Sequence, residues 1–303
     1  MSELIELFLN NLLPVFVVAG FGYWLGKVFG VSPRPISQVS FYLFSPCLAF
    51  TLLTQSQIDL SESVNMFLFA AVIMLITGGL AFLIGRLMRL ERKMLAALMI
   101  TSMFMNAGNY GMPVIGFAFG ETALAHASLF FASMVALTNT LGVIIASWGS
   151  LGLRQALLGV LRTPMFYAVI VALVFSQTGW RLPLPLDRSI TLMGNAAIPT
   201  MLIILGLQFH AARWGGHLKA LVAANGLRLA VSPLVGLILA PLFGLQGVAL
   251  QAGIIEAAMP AAVLNTVLAS EFDAEPSFVT FVVFTGTLLS PLTITPLLYY
   301  LGA

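Results

Sequence analysis

Long apolar stretches separated by short polar segments run along nearly the whole chain. A membrane-spanning helix needs about 20 consecutive, mostly apolar residues. Ten stretches approach or exceed this length, and they cover residues 4–29, 36–54, 64–88, 94–119, 124–148, 164–178, 189–209, 218–243, 248–268 and 276–301. A transmembrane β-barrel would instead alternate apolar and polar residues, because one face of each strand lines the lumen. The pattern therefore predicts an all-α integral membrane protein with ten transmembrane helices.

The composition narrows the class of protein further. Of the 303 residues, 60% are hydrophobic and only 8% are charged, whereas soluble globular domains carry about 25% charged residues. So few charges cannot cover a water-exposed surface, which argues against a soluble enzyme. The formal net charge of +2 creates no field that would gather nucleic acid. We therefore expect a lipid bilayer, and no nucleic acid, as a partner.

Basic residues predict the orientation in the membrane, because cytoplasmic segments carry an excess of Lys and Arg. If the N-terminus lies outside, the predicted outer segments hold only Arg181 and Arg188. The predicted inner segments then hold Lys27, Arg34, Arg86, Arg89, Arg92, Lys93, Arg154, Arg162, Arg213 and Lys219. With an even number of spans, both termini lie outside.

Two halves of the chain resemble each other in the order of their prolines. Pro14, Pro46 and Pro113 are followed, about 150 residues later, by Pro164, Pro199 and Pro260, as in transporters built from repeats. We divide the chain into a first five-helix repeat, 1–151, and a second, 164–303. The amphipathic segment 152–163 is expected to lie along the inner interface as a linker. Because five is odd, the second repeat enters from the opposite side, which predicts two inverted repeats.

The fourth and ninth spans carry helix-breaking residues at corresponding positions. The fourth reads NAGNYGMP over residues 106–113, and Pro113, which has no N–H, is expected to free the carbonyl of Asn109. A half-helix N-terminus, which favours an anion, is then expected near Pro113. In the ninth span Pro260 is expected to free the carbonyl of Glu256. Two interrupted helices at matching positions point to a transporter's binding site; two ordinary proline kinks are the alternative.

The ten-span plan and the sequences NAGNYGMP and EAAMPAAVLN resemble the auxin efflux carrier family over essentially the whole chain. The resemblance implies the fold of bile-acid symporters, in which broken helices 4 and 9 cross near the bilayer centre. It implies a scaffold of helices 1, 2, 6 and 7, and a transport domain of helices 3–5 and 8–10 that moves against it like an elevator. A homodimer in a bacterial cytoplasmic (inner) membrane is also implied.

The polar residues beside the two breaks are the candidate substrate-binding residues. Their amides and hydroxyl can donate to a carboxylate; the alternative is that they satisfy backbone groups at the breaks. Asn106 and Asn109 are expected to share one helical face. The full set is Asn106, Asn109, Tyr110, Pro113, Asn195, Pro260 and Asn265.

Glu256 and Arg228 are the candidate ion-coupling residues, because each lies inside a predicted span. A charge at the bilayer centre costs about 2.5–3.5 kcal/mol on insertion scales, so Glu256 is either paired or protonated. It acts as a proton or cation coupling site, or it is a structural partner of Arg228. We expect no cofactor and no metal site beyond a possible coupling ion, Na⁺ or H⁺. Gly22, Gly26 and Gly30, spaced by four, suit close helix packing, including a subunit contact.

These features predict a multi-pass secondary transporter rather than an enzyme. By resemblance, its substrates are small carboxylates. One negative charge gains about 2.3 kcal/mol per 100 mV on leaving an inside-negative cell, so export needs no coupled ion. A sodium- or proton-coupled importer or antiporter on the same scaffold is the alternative. A membrane receptor is a more distant one, because the short loops leave no room for an output domain.

Overall fold

The computed structural model describes residues 2–56, 58–147, 163–211 and 216–303. This part of the chain is helical and contains no β-strand; its single β-bridge joins Met105 to Ala261. Apart from Thr163, the predicted linker 152–163 lies outside the described residues, and so does Arg213.

Helices lie at all ten predicted stretches. We label them α1 (Glu3–Phe29), α2 (Pro33–Gln55), α3 (Leu60–Leu87), α4 (Arg92–Met103), α5 (Ala107–Ala146), α6 (Pro164–Thr178), α7 (Leu184–His210), α8 (Leu218–Phe243), α9 (Gly247–Ala258), α10 (Leu264–Phe272), α11 (Pro276–Leu289) and α12 (Pro291–Tyr300). In the described part of the chain, six of them (α1, α2, α3, α5, α7 and α8) are long and apolar enough to cross a bilayer. The pair α11 and α12, bent by 46°, raises that number to 7 if it forms one span.

A left-handed glycine divides α5 into two parts. Gly120 has φ 78° and ψ −167°, a conformation that only glycine adopts without strain. The part before Gly120 falls in the predicted fourth span, and the part after it falls in the fifth. Because α4 ends at Met103, the predicted fourth span consists of α4 and the first part of α5.

Wide π-type turns accommodate several of the prolines. Within the described residues, the π-turns Phe8–Leu12, Ser40–Phe44, Ala107–Gly111 and Leu227–Val231 end two residues before Pro14, Pro46, Pro113 and Pro233, respectively. Proline lacks an N–H, and its ring clashes with the carbonyl four residues earlier. A local π-turn moves that carbonyl aside, and such adjustments let membrane helices tolerate proline.

The helices pack as two groups that also contact each other, since α2 and α7 contact α5 and α1 contacts α12. In the first helix group, α1 packs along α7, and α2 packs along α6 and the beginning of α7. In the second, α3 packs against α4, α5, α8 and α9, and α10 packs against α11. These packing partners determine which segments meet at the candidate site.

Glycines allow α1 and α7 to approach closely. A Cβ atom on Gly22 would lie 2.2 Å from the carbonyl oxygen of Ile203, and one on Gly206 would lie 1.7 Å from that of Ala19. Gly26 also faces α7, through Leu207. The spacing of Gly22 and Gly26 therefore serves a helix contact within the chain, as small residues do in membrane helices, whereas a Cβ atom on Gly30 would meet nothing within 4 Å.

Replacing Gly22 with alanine should destabilise the protein, because the new methyl group would meet the backbone of α7. We expect Gly22→Ala to cost about 1–3 kcal/mol, the usual range for overpacking, and to lower the melting temperature of the detergent-purified protein. Gly20→Ala is the matched control in the same helix, because a Cβ atom there meets nothing within 4 Å. Equal melting temperatures for the two variants would contradict this packing.

Candidate functional site

The two interrupted segments cross each other and exchange backbone hydrogen bonds. One lies between α4 and α5, and the other lies between α9 and α10. The Asn106 N–H donates to the Pro260 carbonyl at 2.7 Å, and the Ala262 N–H donates to the Phe104 carbonyl at 2.8 Å. These bonds flank the antiparallel bridge between Met105 and Ala261. The predicted crossing of two broken helices is therefore present in the structure.

Small residues permit this close approach. Ala261 and Ala262 carry only methyl groups at the crossing and are almost fully buried. A Cβ atom on Gly111 would lie 2.2 Å from a carboxylate oxygen of Glu256, so the side chain of Glu256 rests on the backbone of α5. In a membrane, an unpaired backbone group costs several kcal/mol. The mutual pairing of the two breaks removes much of that cost.

The two breaks differ in detail from the sequence prediction. The half-helix N-terminus lies at Ala107 rather than near Pro113, because a π-turn precedes Pro113 and the chain continues as a regular helix from Met112. In the ninth span, the Glu256 carbonyl accepts the Met259 N–H at 3.1 Å. It is therefore not freed by Pro260, whose own carbonyl instead contacts the other break.

Asn106 and Asn265 are buried at the crossing. Asn265 is fully buried, and its amide donates to the Phe104 carbonyl at 3.0 Å. Asn106 is 3% exposed, and its amide nitrogen has no hydrogen-bond partner among the described residues. Asn106 precedes the π-turn with a non-helical backbone, whereas Asn109 lies within the turn and is half-buried. The prediction that these two asparagines share one helical face is therefore wrong.

Two other candidates point away from a common pocket. The Tyr110 hydroxyl lies 2.9 Å from the Ser290 hydroxyl, and its ring packs edge-to-face on Phe16. Tyr110 is fully buried. Asn195 is exposed at the end of the segment Leu184–Asn195 and does not line the cavity described below.

Arg228 contacts backbone carbonyls rather than Glu256. Both side chains are fully buried, yet the ionisable pairs among the described residues are Lys93 with Asp273 and His126 with Glu62. The Arg228 guanidinium donates to the carbonyls of Ser102, Ala257 and Met259 at distances of 2.9–3.2 Å. The carboxylate oxygens of Glu256 have no hydrogen-bond partner among the described residues. The alternative that Glu256 pairs with Arg228 does not match this geometry.

A cavity of about 890 Å³ lies between the two helix groups. Its walls come from α2 and α7 on one side and from α5, α10 and α11 on the other. It reaches Val263 and Leu264, immediately after the crossing. Its polar lining consists of Arg34, Ser37, Gln38, Tyr42, Thr138, Asn139, Gln208, Thr266, Ser270, Glu271 and Thr280.

Sequence reasoning missed most of this lining. Arg34 served only as an orientation mark, and Gln208, near the end of an apolar stretch, received no role. The buried side-chain oxygen of Gln208 has no hydrogen-bond partner among the described residues. Asn139 donates to Val135 and Thr163 and also lines the cavity. Gln208 and Asn139 interrupt otherwise apolar stretches, and that interruption was the signal available in the sequence.

A second cavity, of about 780 Å³, lies at the other end of α2. It includes Gln55, Asp59, Gln177, Arg181 and Asp187. Its walls come from α2, α6, the start of α7 and the adjoining loops. Because these helices belong to the first helix group, this cavity does not separate the two groups.

An ion pair joins the ends of the two interrupted helices away from the crossing. Lys93, at the start of α4, contacts Asp273, which follows α10. The hydrogen bond to Asp273 and its negative charge raise the pKa of Lys93 above the ordinary value. Both side chains are largely exposed, so this pair contributes little stability.

Neutralising Glu256 should leave the fold intact, because Arg228 donates its hydrogen bonds to backbone carbonyls and none to Glu256. We expect Glu256→Gln to be expressed normally and to melt at or above the wild-type temperature, since a buried carboxylate without partners is replaced by a neutral amide. Thermal unfolding of the purified protein measures this. A marked loss of stability would mean that Arg228 depends on Glu256.

Comparison with known proteins identifies the family. The chain matches the membrane transport protein family over residues 7–152 and 150–299. It is 28% identical over 293 residues to an uncharacterized transporter of Methanothermobacter thermautotrophicus, covering 93% of this chain and 94% of that protein. An uncharacterized transporter of Methanocaldococcus jannaschii is 26% identical over 305 residues, with 94% and 96% covered.

Plant proteins match a shorter part of the chain. Auxin efflux carrier component 1 of Arabidopsis thaliana is 31% identical over 151 residues, which are 46% of this chain and 23% of the plant protein. The apolar helices, the family match and these relatives together confirm the resemblance found in the sequence. This multi-pass membrane protein belongs to the auxin efflux carrier family of membrane transport proteins.

Proposed function

We propose that this protein is a secondary carrier that exports small organic carboxylates by alternating access. The observation that carries the proposal is the crossing of two interrupted helices beside a cavity between two helix groups. Carriers with discontinuous helices bind substrate near such breaks. The plant relatives are named auxin efflux carriers, which favours export, and auxin is a carboxylate.

In this proposal the chain forms ten transmembrane helices as two inverted repeats, 1–151 and 164–303. Helices at all ten predicted stretches support it, as does one break in each half. The first helix group supplies the scaffold, and the second supplies the transport domain. The transport domain moves like an elevator within each subunit of a homodimer in the cytoplasmic membrane, with both termini outside.

The cavity between the groups is the proposed path from the inner face to the crossing. With the N-terminus outside, Arg34 and Glu271 lie at its inner end. Arg34 attracts the carboxylate, and the amides of Gln208 and Asn139 orient it. Aromatic side chains accommodate the apolar part of the substrate: Phe41, Tyr42, Phe209 and Phe284. This mixture suits a small amphipathic anion, because ligand pockets combine an apolar lining with a few polar groups.

At the crossing, the proposed role of Asn106, Asn109 and Asn265 is to hold the carboxylate or the backbone around it. Asn106 is best placed to donate, because its buried amide nitrogen has no other partner among the described residues. The N-terminus of α5 adds a partial positive charge. Pro113 and Pro260 shape the two breaks, whereas Tyr110 and Asn195 have no substrate contact in this proposal, because neither lines the cavity.

Efflux from proteoliposomes tests this function. We expect vesicles loaded with a panel of radiolabelled carboxylates to release at least one of them faster than protein-free vesicles. Arg34→Gln should raise the concentration for half-maximal flux about two- to fivefold, because an exposed charge contact contributes ~1 kcal/mol or less. Lys219→Gln is the matched control, since it removes the same charge from a residue outside the cavity lining.

Two results would contradict the proposal. One is the absence of flux for every carboxylate tested with correctly folded protein. The other is an equal effect of the two charge-removing variants, which would place the substrate path away from the cavity.

A sodium- or proton-coupled importer or antiporter is the second candidate. The buried carboxylate of Glu256, without a hydrogen-bond partner among the described residues, favours it, because ionisable groups inside membranes often mark ion or proton pathways.

An imposed pH gradient separates proton coupling from uniport. If Glu256 carries a proton, the gradient drives carboxylate accumulation in wild-type vesicles, and Glu256→Gln abolishes that response while keeping exchange between equal concentrations. A sodium gradient is the parallel test for sodium. If wild-type flux responds to neither gradient, coupled transport is excluded in favour of uniport.

A further inference from the structure

Arg228 lies where the two interrupted helices end. It belongs to the π-turn Leu227–Val231 of α8 and is fully buried. Its Nη1 atom donates to the Ser102 carbonyl at 3.1 Å, near the end of α4. Its Nη2 atom donates to the Ala257 carbonyl at 2.9 Å, near the end of α9, and to the Met259 carbonyl at 3.0 Å. A single guanidinium therefore bridges both half-helix C-termini.

These carbonyls have the chemistry of a cation site. A helix C-terminus carries a partial negative charge, and here two of them converge. In carriers with discontinuous helices, unwound carbonyls and half-helix C-termini coordinate the coupling cation. The Ala257 carbonyl also accepts a hydrogen bond from the Ser232 hydroxyl at 2.7 Å, so two side chains of α8 donate to it.

The positive charge of Arg228 does not form an ion pair with any carboxylate of the described residues. Among the described residues, no carboxylate oxygen lies within ion-pair distance of its nitrogens. Glu256 belongs to the same half-helix as Ala257, but its carboxylate rests on Gly111 of α5. The carbonyl oxygens are thus the groups that balance the guanidinium, as they would balance a bound metal cation.

We propose that Arg228 is a resident cation, which permanently occupies the carbonyl site formed by the two half-helix ends and replaces an exchangeable metal cation there. The inference deepens the proposed function, on which it rests: the carrier cycles without sodium at the crossing. A planar guanidinium with five N–H donors suits this role, because it reaches carbonyls of both helices at once.

Chemical rescue with free guanidinium ion tests the assignment. Arg228→Gly removes the side chain and leaves the carbonyls. We expect the melting temperature of the purified variant to fall. Guanidinium chloride, at concentrations that do not alter the wild-type protein, should restore half or more of the loss. Sodium, potassium and choline chloride at equal concentrations should restore little.

Arg86→Gly is the matched control. Its guanidinium lies over the ring of Phe82, 5.9 Å from the ring centroid, near the end of α3, and loss of this contact should not respond to guanidinium. The proposal is overturned if guanidinium fails to stabilise Arg228→Gly, or if sodium stabilises it equally well.

A second pair of variants decides the matter if Arg228→Gly does not fold. Arg228→Lys keeps a positive charge but has fewer donors, whereas Arg228→Met keeps an unbranched chain and loses the charge. We expect the order of melting temperatures to be wild type, then Arg228→Lys, then Arg228→Met. A methionine variant that is as stable as the lysine variant would overturn the resident-cation role.

Transport supplies an independent measurement. Wild-type carboxylate flux should be unchanged when choline replaces sodium on both sides of the membrane, and sodium-dependent flux would overturn the inference. The thermal measurements need no transported substrate. Failure to find any transported carboxylate would therefore reject the proposed function and leave the test of Arg228 intact.

Discussion

The need to pair backbone polar groups inside the membrane governs this structure. An uninterrupted helix satisfies its own N–H and C=O groups, but two helices here stop within the apolar region and expose theirs. Residues 104–106 and 260–262 solve the problem reciprocally, because each break supplies hydrogen bonds to the other. The Asn265 side chain donates to the same Phe104 carbonyl, and Arg228 donates to carbonyls near the ends of α4 and α9. Small residues follow from this requirement, since larger side chains would hold the backbones apart.

The same pairing determines which parts can move together. Hydrogen bonds across the crossing tie α4, α5, α9 and α10 into one unit, and α8 joins it through Arg228. The close glycine contacts between α1 and α7 tie the first helix group together separately. The cavity follows the boundary between these two units. In the proposed alternating-access mechanism, a relative displacement of the units would change access to the cavity without breaking the crossing.

The few charged groups are divided between surface and crossing. Lys93 and Asp273, for example, lie at helix ends and are largely exposed, so water screens their charges. Arg228 and Glu256 are both fully buried, but they contact different groups. Arg228 donates to carbonyl oxygens, and the carboxyl group of Glu256 lies against the backbone of Gly111. An acidic and a basic side chain buried inside the same membrane protein therefore need not form a salt bridge. Sequence alone left that pairing open as one of two alternatives, because it shows which ionisable residues lie in apolar stretches but not where their side chains point.

The apolar runs and the prolines of the sequence were enough to predict a helical membrane protein with breaks in the fourth and ninth spans, and the resemblance of the two break sequences indicated the family. These properties depend on local features: the length of apolar runs and the missing N–H of proline. Only the tertiary structure decided that the second half-helix begins at Ala107 and that Arg228 donates to backbone carbonyls. It also decided that Gln208 and Arg34 line the cavity. Each of these depends on segments distant in sequence, such as Phe104 and Ala262, meeting in space. A carbonyl contact leaves no periodic trace in the chain, because it is determined by the partner segment rather than by the residues next to it in sequence.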